Sequence, residues 1–482
     1  MATIQTADKK QIYSQQSLLR VLFKNAADPY SEVENRFPPL WPACLAAYIE
    51  KTIGTNRVIF KYSSGSLDND IKAFKPHILG ISSVTQNFNY AKRYAATAKK
   101  HGLFVMMGGI HISLLPNNLN QDMDVGIMGE GEETFAELIC LFLNSEKLLP
   151  SDLRQIRGVV FHEGAELVVT PSRPLFDSLD SLPQPRRTLL GYQRHDYMFT
   201  SRGCPYRCVF CSSCRFWDKV RYHSPEYVVD QIGELIKHSV DLITFYDDLF
   251  VGNVTRLKRI AEMIVERGYH KKCQFHCSSR SNLVTPEVIG YLKSMNVTSV
   301  GMGLESGCER ILKFLKGHVS VKDNRNAVNL LKDAGLEANA SFVIGAPDET
   351  ETEMMETLNF IKMSRLDFIA VYVLTPLPGT PIWDYALKRG LVSDNMDWSL
   401  LSVNFETHPH TAIILAEKLS RNEMIGIYKK FRRLRLYMIL KALPHSALLR
   451  EMPRTILKLI AEKIIRFFKH LAYAKDTSPS EN

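Results

Sequence analysis

Residues Thr200 to Cys214 read T-S-R-G-C-P-Y-R-C-V-F-C-S-S-C, and this stretch decides how the rest of the chain is read. Cys204, Cys208 and Cys211 are separated by three and then two residues, in one loop that follows the strand-like run Tyr197 to Ser201. Gly203 and Pro205 help the loop fold. Thiolates gathered this closely ligate one metal centre without long loop closure. Three of them on a four-iron, four-sulfur cluster leave one iron open to a small molecule. Competing readings are buried small hydrophobes, half of a zinc site, or disulfide partners. Zinc asks for four N/S ligands, and no second Cys/His pair at finger spacing follows nearby. Cys211 and Cys214 repeat the two-residue spacing, so a Cys208–Cys211–Cys214 register stands beside Cys204–Cys208–Cys211.

With the aromatic Phe210 just before the third cysteine, the loop resembles the radical S-adenosylmethionine (SAM) superfamily, marked by Cys-x3-Cys-x2-Cys. The resemblance favours the Cys204, Cys208, Cys211 register. It implies a 4Fe–4S cluster whose open iron chelates the amino and carboxylate groups of SAM. One electron from the cluster then cleaves SAM to methionine and a 5′-deoxyadenosyl radical.

At 482 residues, 45% hydrophobic and 23% charged, the chain is globular in composition and long enough for two to four domains. Nine cysteines, three of them in one loop, suit a reducing compartment, so a cytoplasmic protein is expected. Met1 opens no apolar signal core, and no apolar run reaches membrane-spanning length. The net charge of +9 is unevenly placed: residues 417–475 carry fifteen Lys/Arg against four Glu. The positive charge belongs to the tail.

Residues 10–150 alternate apolar runs with helical patterns. Strands are predicted over Leu18–Phe23, Arg57–Phe60, Ile78–Ser82, Phe104–Met107 and Val125–Met128. Helices are predicted over Pro42–Ile53, Leu67–Phe74, Asn89–His101 and from Glu132. The rhythm gives an α/β, Rossmann-like open parallel sheet, whose ligands sit beyond the strands' carboxyl ends. The loops there carry Ser82, Ser83 and Thr85; Gly108, Gly109 and His111; and Gly129, Glu130 and Gly131. Any one glycine loop is explained by a strand-to-helix turn; three in register point to a ligand.

Pro38 to Tyr48, Lys75 to Ser83, Gly108 to His111 and Gly129 to Glu132 resemble the cobalamin-binding domain that precedes many radical SAM cores. The resemblance implies cobalamin, with these loops lining its nucleotide tail. The chain departs from related patterns twice. It lacks the Asp-x-His-x-x-Gly motif that supplies a lower cobalt ligand, and Trp41-Pro42-Ala43 follows Pro-Pro-Leu where the family often has Gly-Leu. A cobalt without a protein histidine is therefore expected.

Residues 151–195 read as a β-hairpin (Ile156–Phe161 and Glu166–Thr170) and a Pro-rich connector in which no chemistry is expected. In residues 196–395 the βα rhythm resumes, with strands over Leu242–Tyr246, Gln274–Cys277, Ser299–Leu304, Ala338–Ile344 and Phe368–Leu374. Six βα units are too few for a closed eight-stranded barrel, and the resemblance implies a partial (β/α)6 barrel. Sites on such barrels are built from strand ends. Asp247 and Asp248 follow the second strand, at the family's position for the SAM ammonium; a helix N-cap is the structural alternative. Arg280 ends the third strand, Glu305 the fourth, and Ser341 lies on the fifth, all expected at SAM. Residues 344–350 resemble a family segment whose backbone lies along the adenine, with Asp348 where glycine is common.

Residues 396–482 form a helical basic tail. Lys429 to Arg435 is a basic, apolar-interleaved run, and Thr455 to Tyr473 has the spacing of a helix at a membrane interface, or of one docked on the barrel. No recognition motif accompanies the charge, so no nucleic acid is expected.

Together these readings imply a cobalamin-dependent radical SAM enzyme that methylates an unactivated carbon of an apolar small molecule. Its electrons would come from a reductant such as a flavodoxin or ferredoxin, and its tail would touch the inner membrane face. A radical SAM cyclase or rearrangement enzyme and a non-catalytic cobalamin and cluster sensor are the alternatives. Methylthio transfer to RNA is disfavoured, because the first domain lacks the three cysteines of that branch.

Overall fold

Consecutive apolar residues covered on both faces build the first sheet. In β1 (Leu19–Ala26), Val21, Leu22 and Phe23 are all fully buried, as in a parallel strand sandwiched between helices. The computed structural model describes residues 18–28, 37–145, 148–402, 405–406 and 408–442. After β1 come α1 (Trp41–Ile53), β2 (Val58–Tyr62), α2 (Leu67–Phe74), β3 (Ile78–Ser83), α3 (Phe88–Lys100), β4 (Phe104–Gly108), α4 (Ile110–Leu114), β5 (Val125–Ile127) and α5 (Gly131–Asn144). The hairpin β6 (Val159–Glu163) and β7 (Glu166–Val169) follows. The sheet order is β2-β1-β3-β4-β5-β6-β7. Strands β1 to β5 run parallel, and β6 and β7 close the edge antiparallel. The hairpin, expected within the connector, thus continues the first sheet: Val159, Val160 and Phe161 have no exposed surface and bury against it. Strand order reverses between β1 and β3, which opens a crevice at their carboxyl ends.

The second sheet comprises β8 (His195–Met198), β9 (Leu242–Phe245), β10 (Gln274–Ser279), β11 (Val297–Glu305), β12 (Glu337–Ile344) and β13 (Phe368–Val373). They are joined in sequence order, all parallel, and β13 is not paired with β8, so the barrel is partial. Its outer helices are α6 (Pro225–Lys237), α7 (Val254–Glu266), α8 (Pro286–Ser294), α9 (Glu309–Leu315), α10 (Val321–Asp333), α11 (Glu351–Met363) and α12 (Pro381–Lys388). Alternation on the strands sorts the faces. Ile243, Phe245, Phe275 and Cys277 join the core under the helices, leaving Thr244, His276 and Ser278 on the opposite, lumenal face. Cys273 and Cys277 are packed core residues.

The basic run Lys429 to Arg435 lies in α13 (Arg421–Ala442), which docks Met424, Ile427 and Phe431 on the barrel core. Lys430 pairs with Glu351, and Arg432 and Arg435 with Glu406. The Thr455–Tyr473 segment lies outside the described residues. Among the described residues no helix is long and apolar enough to cross a membrane.

Candidate active site

The cysteine loop is pinned just after Cys208, through both backbone groups of Val209. Val209 N–H donates to Leu315 O (3.1 Å), and Ile382 N–H donates to Val209 O (3.4 Å). Gly203 has φ +96, and a Cβ there would stand 3.0 Å from Lys219 O and Trp217 Cβ, so only glycine fits the turn into the loop. Cys204, Cys208, Phe210 and Cys211 line a cavity of about 420 Å³ at the barrel mouth. Cys214 does not line it; the residue is 4% exposed and its thiol donates to Cys211 O (3.2 Å). Among the described residues no three His, Cys, Asp or Glu side chains converge on a single-ion site. Three thiols on one cavity suit a cuboidal cluster with one iron left open, whereas a zinc ion asks for four N/S ligands.

Cations flank the loop. Arg280 lies 3.9 Å over the Tyr206 ring, donates to Gly317 O (2.6 Å), and reaches Cys208 Sγ at 3.8 Å. Lys316 lines the same cavity, 3.4 Å from Glu305. Burial pushes the Cys208 thiol up, and Lys316 and Arg280 oppose that shift. Positive charge beside the thiols fits an anionic, thiolate-bound cluster. Lys316 escaped the sequence reading because it follows a helix, not a strand.

Glu305 and Ser341 both line this cavity, over a floor of Gly301, Gly303 and Ala370 that leaves room for a ligand. Glu305 holds φ +61, an unusual value for a side-chain-bearing residue, next to a register shift between Gly303 and Glu305. The irregularity re-aims the carboxylate into the mouth. Burial raises its carboxyl, with Lys316 opposing.

The two adjacent aspartates separate. Asp247 is 4% exposed and turned back into the wall: Thr200 N–H and Oγ1 each donate to it at 2.5 Å. Its expected contact with SAM is corrected, because the carboxylate is consumed in holding the residues that lead into the cysteine loop. The N-cap alternative also fails, since Asn253 caps α7. Asp248 accepts from Ser213 Oγ (2.6 Å) and lines two cavities, the barrel mouth and the one between the domains.

That second cavity, about 390 Å³, lies between the first sheet's crevice and the barrel. Ser82, Gly108, Gly109, Gly129, Glu130 and Gly131 line it. Gly109 has φ +98, and a Cβ would approach Ser83 O to 2.6 Å, so the loop closes only on glycine. Phe23, Ile81, Met106, Ile127 and Phe135 form an apolar slot in the sheet half, which fits a flat aromatic base. Three expected residues turn away from it. Ser83 is 3% exposed and donates to Val84 O (2.7 Å); Thr85 is buried in a 3-10 turn, Thr85–Asn87, that precedes α3. His111 lies in α4, 0% exposed, stacked 3.8 Å on Phe88 and edge-on to Trp398. Burial lowers that imidazole to about 3. It is a packed ring of the core, not a cavity residue.

An ionic network joins the domains beside this cavity. Glu130 accepts from Arg202, Arg221 (2.8 Å) and Phe176 N–H (2.7 Å), while Arg202 also donates to Glu132 (2.6 Å). Burial alone would raise the Glu130 carboxyl; hydrogen bonds from Arg221, Phe176 and Arg202 outweigh it and hold it low. Leu182, Pro183 and Pro185 come from the connector, so that segment supplies part of the wall, and Phe176 of the same segment joins the network.

Residues 198–361 match the radical SAM superfamily, and residues 30–139 match the B12 binding domain. An uncharacterized methyltransferase of Pyrococcus horikoshii is 33% identical over 342 residues, 68% of this chain and 73% of that protein. The anaerobic magnesium-protoporphyrin IX monomethyl ester cyclase of Cereibacter sphaeroides is 24% identical over 438 residues, 86% of this chain and 69% of that protein. Among solved structures, the radical S-adenosylmethionine methyltransferase TsrM of Kitasatospora setae, with cobalamin and a 4Fe–4S cluster bound, shares the fold. Its TM-score is 0.64 at 15% identity, covering 77% of this chain and 75% of that one. The chain therefore belongs to the cobalamin-binding radical SAM enzymes, whose cofactors are a 4Fe–4S cluster, SAM and cobalamin.

Proposed function

We propose that this enzyme transfers a methyl group to an unactivated carbon of an apolar, membrane-associated small molecule. The observation that carries the proposal is Asp248, which lines both the cysteine cavity and the interdomain cavity. The two cofactor cavities are thus neighbours, and a substrate at the barrel mouth would lie within reach of both. When bound, the cluster and SAM supply a radical that takes hydrogen from carbon, and cobalamin supplies the methyl group. The chain's part is to bind, orient and keep water out. Cys204, Cys208 and Cys211 are the proposed cluster ligands; Arg280 fixes their loop from the barrel side. Glu305 and Ser341 are proposed at SAM, and Ser82, Gly108, Gly109 and Gly129 to Gly131 at cobalamin.

The apolar substrate is inferred from aromatic faces left open in the two cavities, Phe199 in the interdomain one and Phe368 in the cysteine one, exposed by 41% and 43%. The positive charge of the tail beyond α13 supports contact with anionic lipid on the cytoplasmic side. A flavodoxin or ferredoxin would supply the electron.

The test is turnover of the reconstituted enzyme with cobalamin, a low-potential reductant, methyl-deuterated SAM and a lipid extract. The expected product is an apolar molecule that has gained the labelled methyl group. A product without added carbon, formed alongside 5′-deoxyadenosine, would replace methylation by cyclisation, the activity named for a relative aligned over 86% of this chain. No 5′-deoxyadenosine at all would remove both and leave a sensor.

A further inference from the structure

On the barrel wall of the interdomain cavity, one buried acceptor lacks a donor. Gln231, on α6, lines the cavity and is 4% exposed, and its Oε1 has no hydrogen bond among the described residues. His223 lines the same wall at 7% exposure. Its Nδ1 lies 3.1 Å from Asp180 Oδ1, and its ring stacks 3.9 Å on Tyr227. Tyr227 and Gln231 are four residues apart on one helix face, so the three side chains form one patch.

The chemistry of the patch is set by its partners. Burial lowers the imidazole to about 4, although Asp180 opposes, so the ring is neutral near pH 7. A neutral imidazole beside a carboxylate keeps its proton on the near nitrogen. Nδ1–H therefore donates to Asp180, and Nε2 is left with a lone pair. The Tyr227 hydroxyl donates to Pro183 O (3.2 Å) and has no proton for the cavity. Leu40, Leu45, Leu182 and Pro185 complete an apolar surround. A buried acceptor left unmade costs about 1–3 kcal/mol, so Gln231 Oε1, beside the imidazole lone pair of His223 on the same wall, calls for a ligand that brings N–H groups.

We propose that Gln231 and His223 form a subsite for primary carboxamides, and that the carboxamides it reads are side chains of the corrin ring. The inference rests on reading the cavity as the cobalamin site. A carboxamide meets both needs: its N–H₂ donates to Gln231 Oε1 or His223 Nε2, and its carbonyl accepts from the Gln231 amide. A carboxylate or an ester in its place could accept from the Gln231 amide but would bring no proton to Gln231 Oε1 or His223 Nε2.

The test uses the full-length, cluster-reconstituted enzyme and two corrinoids that both lack the nucleotide: cobinamide, which keeps the carboxamides, and heptamethyl cobyrinate, which carries esters instead. Affinities are read by equilibrium dialysis and the corrin absorbance bands. Wild type is expected to bind cobalamin, and cobinamide more tightly than the ester. Gln231→Met and His223→Phe, made separately, are each expected to weaken cobalamin and cobinamide about tenfold, with ester binding unchanged. Iron content equal to wild type shows that a variant has folded. Equal weakening of cobinamide and ester would mean lost packing and would overturn the subsite. Unchanged cobalamin affinity with a raised substrate KM would assign the patch to a substrate amide and overturn it as well. A nitrogen splitting in the cob(II)alamin EPR spectrum that disappears in H223F would make His223 a cobalt ligand instead. Wild type that binds no cobalamin would fail the cavity reading itself, which is distinguishable from all of these.

Discussion

Glu349 occupies the loop after β12 with no exposed surface, and its Oε2 accepts from Gly345 N–H (2.7 Å) and Ala346 N–H (2.9 Å). Burial pushes this carboxyl up to about 7, against the two N–H donors. A folded-state value above the unfolded one favours the protonated form in the native state. Its stabilisation is complete below the ordinary carboxyl value and is lost as pH rises through about 7. Between pH 5.5 and pH 8 this group should cost the apoprotein about 2 kcal/mol. Glu349→Gln keeps an acceptor for both amides and cannot titrate, so its urea midpoint should fall less over that range; identical pH slopes for the two proteins would reject the assignment. Lys316 acts on a similar scale. Replacing it by Met strands the Glu305 carboxylate, with a cost of about 3 kcal/mol in urea unfolding, and adding Glu305→Gln should recover most of it. The sequence placed Glu305 at a strand end correctly, because alternation and chain order locate strand ends. It gave no sign of Lys316, eleven residues on, whose position depends on how α9 returns to the barrel.

At the scale of elements, strands were legible where apolar runs had no other explanation, and all six barrel strands fall close to the expected positions. The hairpin was also legible, but not the sheet it joins, since an antiparallel strand takes whichever edge is free. Residues 84 to 88 read as open loop before a helix from Asn89, whereas a 3-10 turn over Thr85–Asn87 already folds there, and that is why Thr85 is expected in the cavity and lies outside it. His111 shows the same limit: a Gly-Gly loop predicts a tight turn, but the first turn of α4 carries the imidazole to the opposite side. The aspartate pair is the instructive case, for sequence treats Asp247 and Asp248 alike while the end of β9 sends one inward and one to the mouth. Asp247→Ala removes acceptors for Thr200 and Ser201, so it should cost about 3 kcal/mol and shed most of the cluster on desalting, read as iron per chain. Asp248→Asn should keep both stability and iron. Equal iron loss in the two variants would contradict the division of roles.

On the scale of the whole molecule, the function needs two cofactor cavities held in one register, and the residues that set it come from both domains. Glu130 belongs to the first sheet, Arg202 and Arg221 to the barrel, and Phe176 to the connector. Trp217 lies under both guanidinium groups, 5.7 Å from that of Arg202 and 5.4 Å from that of Arg221. The network is buried, so salt screens it little, and neutralising Glu130 takes from Arg221 its carboxylate partner and leaves Arg202 with Glu132. Glu130→Gln keeps the side chain's size and an acceptor for Phe176 but loosens the hold between domains. The cysteine cavity contains none of these four residues, so SAM cleavage should persist. Methyl transfer depends on the distance between cavities, and a misplacement of about 1 Å costs up to about a hundredfold in rate. The expected outcome is 5′-deoxyadenosine formation within about threefold of wild type, with methylated product down tenfold or more, so that the ratio of the two changes. If both products fall together, the network serves general stability; if neither falls, the domains are held by their apolar contacts and the ion pairs are dispensable.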